Sequence, residues 1–404
     1  MENKIIPYGK QNINFEDIEF VTQALKSDYV TQGPLVDKFE EELAKYLNVK
    51  HVVVVSNGTA ALHIAGLALN LKKGDAVIMP AISFVATSNS VLYCGATPVF
   101  ADIDIKTGNI SLESAEKAYN IAKQNGLNVK AIYPVHFGGM PCNPNEICNF
   151  AKKYNLKIVE DACHAIGSKY RKSPTDEFQM AGSFSDMAIW SFHPVKHITT
   201  GEGGAVSTND TELATNLKLL RSHGITKNSN SFENRNLYFD ETTNGVNPWY
   251  YEMSALGFNY RLPDILCALG ISQLKRLDIF VQKRREIANY YREFLKNIDF
   301  IELPPIDNEY SYSSYHLFPI LIDFKKIKKS RKLVMEELRE NGIGSQVHYM
   351  PIPWQNYYQS NPDNYLSTDI SNSELFYSKE LSIPMFFDLN EIDCQKISNV
   401  IRKL

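Results

Sequence analysis

The feature that most constrains the fold is a regular alternation of short β-branched runs and helix-like stretches between residues 50 and 210. Such an alternation predicts βα units, which stack into a mostly parallel, doubly wound sheet. The predicted strands are residues 52–55, 76–79, 97–100, 130–135 and 157–159, and the predicted helices are residues 60–71, 83–93 and 144–154. We therefore expect an α/β fold in which ligands bind at the carboxyl ends of the strands.

The remaining residues predict a second, smaller domain, because 404 residues exceed what one simple core usually supports. Residues 265–295 have the spacing of one or two long amphipathic helices. Strands are expected near 315–322 and 344–348, and helices near 330–341 and 391–404. We predict a large domain of residues 1–265 and a smaller α+β C-terminal domain of residues 266–404. The polar, aromatic segment 228–252 is predicted to be an insertion that forms a loop or lid.

Charge and composition exclude several classes of partner. The formal net charge is −4 and the 42 Lys and Arg residues form no basic block, which argues against nucleic acid and anionic membranes as partners. The N-terminus lacks a signal-peptide pattern, and no apolar run reaches the roughly 18 residues of a membrane span, so we expect a cytoplasmic protein. The six cysteines form no CxxC pair, which favours reduced thiols over a metal site.

Three segments carry residues suited to chemistry. The first, Ser56 to Leu62, places Gly58, Thr59 and Ala60 where a strand gives way to a helix. Free backbone N–H groups, a hydroxyl and the helix dipole at such a turn suit a phosphate. An ordinary capped helix start explains this segment equally well.

The second segment is an apolar strand that ends on Asp161, with His164 three residues later. A carboxylate at the tip of a buried strand is costly unless it is paired, and a protonated pyridine nitrogen would be a suitable partner. A capping aspartate beside a core histidine is the alternative interpretation of this segment.

The third segment places Lys196 between an apolar strand and a Gly-rich turn. A desolvated lysine has a lowered ammonium pKa, which Schiff-base chemistry requires. Most lysines are solvated surface charges, so the argument depends on the three segments together.

In their order along the chain, these segments resemble the DegT/StrS family of nucleotide-sugar aminotransferases. The resemblance is carried by the phosphate turn, by Asp-x-x-His at 161–164, and by Ser-Phe-x-x-x-Lys at 191–196 followed by Thr-Thr-Gly-Glu-Gly-Gly-Ala. Further similar segments are residues 31–34, 84–87, 221–224, 257–262 and 347–351. The resemblance implies a pyridoxal 5'-phosphate (PLP)-dependent transferase fold of type I, like that of aspartate aminotransferase.

The resemblance also implies roles for individual residues. Lys196 would bind PLP through a Schiff base and carry the transferred proton, and Asp161 would pair with the pyridine nitrogen. The other residues expected to hold the cofactor are Gly58, Thr59, Ala60, Phe84, His164 and Ser191. Asn259 is expected to reach the phosphate of a neighbouring subunit, which implies a homodimer. The substrate contacts are predicted to be His348, Arg261 and Thr31, although a structural salt bridge is an alternative role for Arg261.

The implied reaction transfers an amino group from glutamate to a keto sugar. Within the family, residues 249–252, 346–349 and 381–384 are most similar to transaminases of pseudaminic acid biosynthesis. That similarity implies C4 of a UDP-linked 4-keto-6-deoxy-N-acetylhexosamine as the acceptor. A different dTDP-, GDP- or UDP-linked keto sugar is the first alternative, and a non-catalytic nucleotide-sugar-binding or regulatory protein is the second. The insertion's aromatic residues would either stack on the ligand or pack the loop.

Overall fold

A computed structural model describes residues 5–404 of the chain. Residues 1–4, the beginning of the N-terminus that was predicted to lack a signal peptide, lie outside the described residues. The described α-helices are α1 Phe15–Leu25, α2 Pro34–Leu47, α3 Gly58–Ala68, α4 Ala86–Tyr93, α5 Leu112–Gln124, α6 Pro144–Tyr154, α7 Thr211–Arg221, α8 Arg235–Tyr238, α9 Asp264–Leu274, α10 Leu277–Leu295, α11 Arg331–Glu340, α12 Asn356–Ser360, α13 Ser371–Lys379 and α14 Glu391–Ile401. Short 3-10 helices span Phe137–Gly139, Ser229–Ser231, Ile352–Trp354 and Pro362–Asn364.

The strands form one large sheet and several small ones. They are β1 His51–Val55, β2 Asp75–Pro80, β3 Thr97–Ala101, β4 Asn128–Ile132, β5 Lys157–Asp161, β6 Lys169–Tyr170, β7 Gln179–Met180, β8 Met187–Ser191, β9 Gly204–Thr208, β10 Ile225–Thr226, β11 Phe239–Asp240, β12 Gly245–Val246, β13 Glu252–Met253, β14 Ile301–Glu302, β15 Ser311–Tyr312, β16 Phe318–Ile322, β17 Leu366–Ser367 and β18 Glu380–Ile383. The large sheet has eight strands in the order β1-β9-β8-β5-β4-β2-β3-β17.

The large sheet is mostly parallel, as the sequence predicts. Among the described strands of this sheet, β9 alone runs antiparallel to its neighbours, β1 and β8. Strands β2, β3, β5 and β8 are buried along almost their whole length, which fits a sheet covered by helices on both faces. Crossing from one parallel strand to the next sends the chain back through a helix, so the carboxyl ends of the strands all meet at one edge.

A second core lies under a three-stranded antiparallel sheet, β14-β16-β18. Helices α10, α11 and α14 contribute Tyr291, Leu338 and Ile397 to it. The strand expected at residues 344–348 is wrong, because only Gln346 forms a bridge there, to Ser382. The backbone N–H of His348 instead donates to the carboxylate of Glu380, at 2.8 Å, so it does not join a ladder.

Helix α10 connects the two cores. Leu277, Phe280 and Val281 pack into the core of the large sheet, whereas Ile287 and Tyr291 pack into the second core. Residues beyond α10 also return to the large sheet, since β17 pairs with β3 in parallel. The change of core therefore falls inside α10, and the division at residue 265 stays a prediction.

The insertion of residues 228–252 lies between two paired strands. It begins just after β10 and ends at Glu252, the first residue of β13, which pairs with β10. Three aromatic rings of the insertion, those of Phe232, Tyr238 and Tyr250, pack on one another with centroids 4.9 to 5.9 Å apart. Trp249 is different, because 72% of its surface is exposed. Of the helices between residues 5 and 404, none has the length and apolar character needed to cross a membrane.

Candidate active site

The three predicted segments meet at the carboxyl edge of the large sheet. Asp161 ends β5, the turn before α3 follows β1, and the loop that carries Lys196 follows β8. Strands β5 and β8 are paired, and β1 is linked to β8 through β9. The parallel arrangement therefore brings together residues that lie more than a hundred positions apart in the chain.

Asp161 is buried, with 6% of its surface exposed. One carboxylate oxygen accepts a hydrogen bond from the Thr87 hydroxyl at 2.7 Å, and the other accepts from the backbone N–H of Cys163 at 3.2 Å. Thr87 also contacts the hydroxyl of Ser83 at 2.7 Å, so its orientation is fixed from two sides. Among residues 5–404, Asp161 forms no salt bridge, which leaves a buried negative charge available to a cationic ligand.

Lys196 lies in a tight turn, in which its backbone N–H donates to the carbonyl of His193 at 2.8 Å. Its side chain is half-buried, and its amine lies 3.5 Å from Nε2 of His316. Burial lowers the pKa of the Lys196 ammonium, and the Arg284 guanidinium lowers it further, while the charge of Asp161 opposes that shift. A lysine with a lowered pKa has a larger fraction of the uncharged amine that attacks a carbonyl carbon.

His164 is buried beside Lys196 and is held through both ring nitrogens. Its Nδ1 accepts from the backbone N–H of Gly138 at 3.4 Å, and its Nε2 lies 3.2 Å from the hydroxyl of Tyr349. Burial, with the positive charge of Lys196, moves the pKa of His164 well below its usual value, so the imidazole is neutral. These contacts give one consistent assignment, in which Nε2 carries the proton and donates a hydrogen bond to the hydroxyl oxygen of Tyr349.

The segment predicted to bind a phosphate lies at the start of α3. The side chain of Asn57 caps the helix by accepting from the N–H of Ala60 at 2.8 Å, so this N–H is already used. Among residues 5–404, the backbone N–H groups of Gly58 and Thr59 have no hydrogen-bond partner and are available to a ligand. Ser191 lies against Gly58. A Cβ at Gly204 would lie 2.5 Å from the carbonyl carbon of Asn57, so glycine is required for β9 to approach this turn.

These features fit pyridoxal phosphate. The helix start suits the phosphate, the unpaired Asp161 carboxylate suits a protonated pyridine nitrogen, and Lys196 suits the aldehyde. Phe84 follows β2 and is 57% exposed, with its ring 6.1 Å from that of Tyr349. An exposed ring at the rim of the pocket is free to cover a flat ligand.

Comparison with known proteins agrees with this geometry. Residues 11–402 match the model of the DegT/DnrJ/EryC1/StrS aminotransferase family. The chain belongs to this family. The predicted family and fold class are thereby confirmed.

Similar proteins of this family include one that is named for a UDP-linked amino sugar. A Campylobacter jejuni protein named UDP-4-amino-4,6-dideoxy-N-acetyl-beta-L-altrosamine transaminase is 40% identical over 98% of this chain and 96% of its own. The solved structure of Helicobacter pylori PseC, an aminotransferase of pseudaminic acid biosynthesis, covers 99% of both chains at 34% identity, with a TM-score of 0.83. A sugar aminotransferase of Streptococcus pneumoniae in its PLP form covers 99% of this chain and 98% of its own at 26% identity, with a TM-score of 0.83.

The predicted substrate residues of this aminotransferase lie in different environments. His348 is buried, and its Nδ1 lies 2.8 Å from the hydroxyl of Ser382, so its Nε2 alone remains for a ligand. Burial lowers the pKa of His348 to about 3. Arg261 is half-buried and forms no salt bridge with residues 5–404, which argues against the purely structural role. Thr31 is exposed, and the segment that follows it is anchored by Gly33 N–H donation to Asp264 at 2.7 Å.

Asn259 is exposed and pairs with Ser222 through a β-bridge. The next residue, Tyr260, accepts a hydrogen bond from the N–H of Ser56 at 2.8 Å, so this segment borders the start of α3.

The sequence analysis did not predict three residues of the pocket, Thr87, His316 and Tyr349. Thr87 and Tyr349 lie in segments that resemble the family, which was the available signal, whereas no pattern in the sequence marks His316.

Proposed function

We propose that this protein is a PLP-dependent aminotransferase that transfers an amino group from glutamate to C4 of a UDP-linked 4-keto-6-deoxy-N-acetylhexosamine. The observation that carries the proposal is the meeting of an unpaired buried Asp161 and a desolvated Lys196 beside the start of α3. The names of the Campylobacter and Helicobacter relatives support this choice of acceptor.

Lys196 is the residue that moves the proton. Because its pKa is lowered, a fraction of Lys196 is uncharged and can accept a proton from the substrate carbon. The resulting ammonium group then donates the proton in the following step. The same amine serves both halves of the transfer, so a single substitution at Lys196 stops both. Bound PLP supplies an electron-withdrawing ring that stabilises negative charge at the substrate carbon.

Asp161 is the residue that pairs with a positively charged group of the ligand in the pocket. Because its two oxygens accept from Thr87 and from the Cys163 N–H, the carboxylate is held in place before any ligand arrives. His164 and Tyr349 line the same pocket as a neutral pair, which provides hydrogen bonds without adding a competing charge.

We further propose that the enzyme is a homodimer in which Asn259 completes the partner's site. Support comes from an apolar surface just before Asn259, where Leu256 is 80% exposed, Met253 64% and Trp249 72%. Large apolar side chains that are exposed in a single chain and lie close together in the sequence fit an interface between subunits. Sedimentation measures the oligomeric state of the Asn259→Ala variant, and a PLP titration measures its affinity for the cofactor. The variant should remain dimeric and bind PLP less tightly. A monomeric protein, or an unchanged PLP affinity, would contradict the arrangement.

The test of the reaction is an absorbance experiment on the purified protein loaded with PLP. Glutamate alone should abolish the long-wavelength band, and the UDP-linked 4-keto sugar, added next, should restore it. The dTDP- and GDP-linked keto sugars, added separately, provide the matched comparison. Restoration by one of these alone would retain the aminotransferase and reject the UDP sugar, and a protein that never develops the band would reject the proposal.

A further inference from the structure

The amine of Lys196 has one hydrogen-bonding neighbour among residues 5–404, the imidazole of His316. His316 precedes β16 and comes from the C-terminal part of the chain, 120 positions after Lys196. Two separate parts of the fold therefore meet at the nitrogen atom that would react.

The position of His316 is tightly fixed. It is 4% exposed, and its ring lies 4.4 Å from that of His164 and 5.6 Å from that of His197. Its backbone carbonyl accepts from the buried guanidinium of Arg284 at 3.1 Å. A Cβ at Gly139 would lie 2.9 Å from the backbone nitrogen of His316, so the two segments are in close contact. A side chain held this firmly can fix the position of a flexible lysine.

The remaining ring nitrogen of His316, Nδ1, is buried without a hydrogen-bond partner in the described part of the chain. Leaving a buried polar atom unpaired is costly, and leucine or phenylalanine would fill the same space without that cost. Core packing alone therefore gives no reason for a histidine here, whereas its contact with Lys196 does.

The charges around this contact keep the imidazole neutral. Burial moves the pKa of His316 well below its usual value, and the positive charge of Lys196 lowers it further. A neutral imidazole accepts a hydrogen bond from an ammonium group without repelling it. The other titratable groups that act on Lys196 or His316, or on which Lys196 acts, are Asp161, Cys163, His164, His197, Arg284 and His348.

We propose that His316 is a positioning residue that accepts a hydrogen bond from the amine of Lys196 and holds that nitrogen toward the substrate. The role in turnover rests on the proposed aminotransferase function, whereas the contact itself does not. His316→Phe removes the acceptor and keeps a flat ring of similar size, and His316→Gln retains a polar atom that can accept.

The first measurement uses cofactor-free protein and therefore does not depend on the reaction. The rate at which an amine-selective reagent modifies Lys196, located by peptide mass spectrometry, is followed against pH in wild type and both variants. Loss of the acceptor destabilises the ammonium, so the midpoint should fall by about one pH unit in His316→Phe and return toward wild type in His316→Gln.

The second measurement is turnover of PLP-loaded protein with glutamate and keto sugar. His316→Phe should lower kcat by about 10- to 100-fold with little change in the KM for glutamate, and His316→Gln should recover part of it. His51→Gln, on β1 and in contact with Thr211, is the control, and thermal unfolding checks that each variant is folded. An unchanged midpoint and an unchanged kcat in a folded His316→Phe protein would overturn the proposal. If wild type does not turn over while the midpoint still shifts, the proposed function fails and the contact stands.

Discussion

The pocket around Lys196 buries polar groups, whereas the insertion of residues 228–252 exposes an aromatic one. Asp161 and His316 are 6% and 4% exposed, but Trp249 is 72% exposed. Within the insertion, the carboxylate of Glu252 organises the loop by accepting from the N–H groups of Glu233 and Asn234. A carboxylate is therefore buried in the pocket at Asp161, whereas in the insertion the carboxylate of Glu252 stabilises a surface loop.

This difference in burial indicates that the pocket serves catalysis and that the insertion serves recognition. Burial changes the proton affinity of a group strongly, so Lys196 can react at a pH where a surface lysine is charged. An exposed ring keeps its ordinary properties and is available for contact with a ligand or a second chain. Substitutions in the pocket should therefore alter catalytic rate, and substitutions in the insertion should alter binding.

The largest effect is expected for Lys196→Ala. Without the amine there is no base and no attachment point for PLP, so turnover should fall by at least about 10⁴-fold. Steady-state kinetics with glutamate and the keto sugar measure this loss. Lys157→Ala, which removes a salt bridge to Asp186 at the amino end of the sheet, is the control and should keep near wild-type turnover. Equal activities in the two variants would remove Lys196 from the reaction.

Asp161→Asn should have the next largest effect. The amide keeps the size of the side chain but removes the negative charge, so kcat should fall by about 10² to 10³-fold. The matched control is Asp186→Asn, because Asp186 accepts from the N–H of Ile158 at 2.9 Å and lies away from the pocket. A fall in kcat of similar size in both variants would show that the loss is structural and would break the contrast between pocket and remainder.

The sequence predicted the large sheet better than the second domain, and the reason is physical. Strands β1 to β5 each overlap a predicted strand, because the strands of a sheet covered on both faces are largely apolar. The segment at 344–348 has one β-branched residue, Val347; only Gln346 pairs with a strand there, and the His348 N–H donates to the Glu380 side chain instead. That partner lies 32 positions away, and local sequence carries no record of it.

The site shows the same limit. A strand end and a Gly-rich turn are local signals that marked Asp161 and Lys196 as candidates, and the resemblance to the family supplied their expected roles. Tyr349 and His316 reach the pocket from the C-terminal part of the chain, where only the packing of the two cores around α10 decides their position. Long-range contacts of this kind require a structure.

Acid should destabilise the pocket more than the insertion. The folded-state pKa of His348 is lowered to about 3 by burial, and the pKa values of His164, His197 and His316 are also lowered by burial. Below the ordinary histidine pKa of about 6.5, the unfolded chain binds these protons and the folded chain does not, so stability is lost as the pH falls.

Two described groups oppose this trend, Glu380 and His136; although burial lowers the pKa of His136, the carboxylate of Glu160 raises it to about 10. Burial raises the pKa of Glu380 to about 8, so its contribution to stability increases as the pH falls toward the unfolded value. The four pocket histidines outnumber Glu380 and His136 and still give a net loss below pH 6.5, at up to about 1.4 kcal/mol per net proton for each pH unit. Urea unfolding at pH 7.0 and 5.5 measures the difference, and His348→Gln should reduce it. Stability that is equal at both pH values would contradict the neutral-histidine pocket.

The smallest effect is expected for Trp249→Ala. Because the side chain is mostly exposed, its removal should change the free energy of unfolding by less than about 0.5 kcal/mol. If Trp249 stacks on the nucleotide or sugar, the KM for the keto sugar should rise by about 5- to 10-fold with kcat nearly unchanged, since base stacking on an aromatic ring contributes about 1 kcal/mol or more. Kinetics with the sugar varied at saturating glutamate measure this change.

Phe232→Ala is the matched variant within the insertion, because Phe232 packs on Tyr250 with ring centroids 4.9 Å apart. Its loss should loosen the loop and increase cleavage by a protease within residues 228–252, while Trp249→Ala should leave cleavage unchanged. An unchanged KM in Trp249→Ala together with a weaker dimer would assign the ring to the subunit interface. In that case the insertion recognises a second chain rather than the sugar, and the contrast with the pocket becomes one between catalysis and assembly.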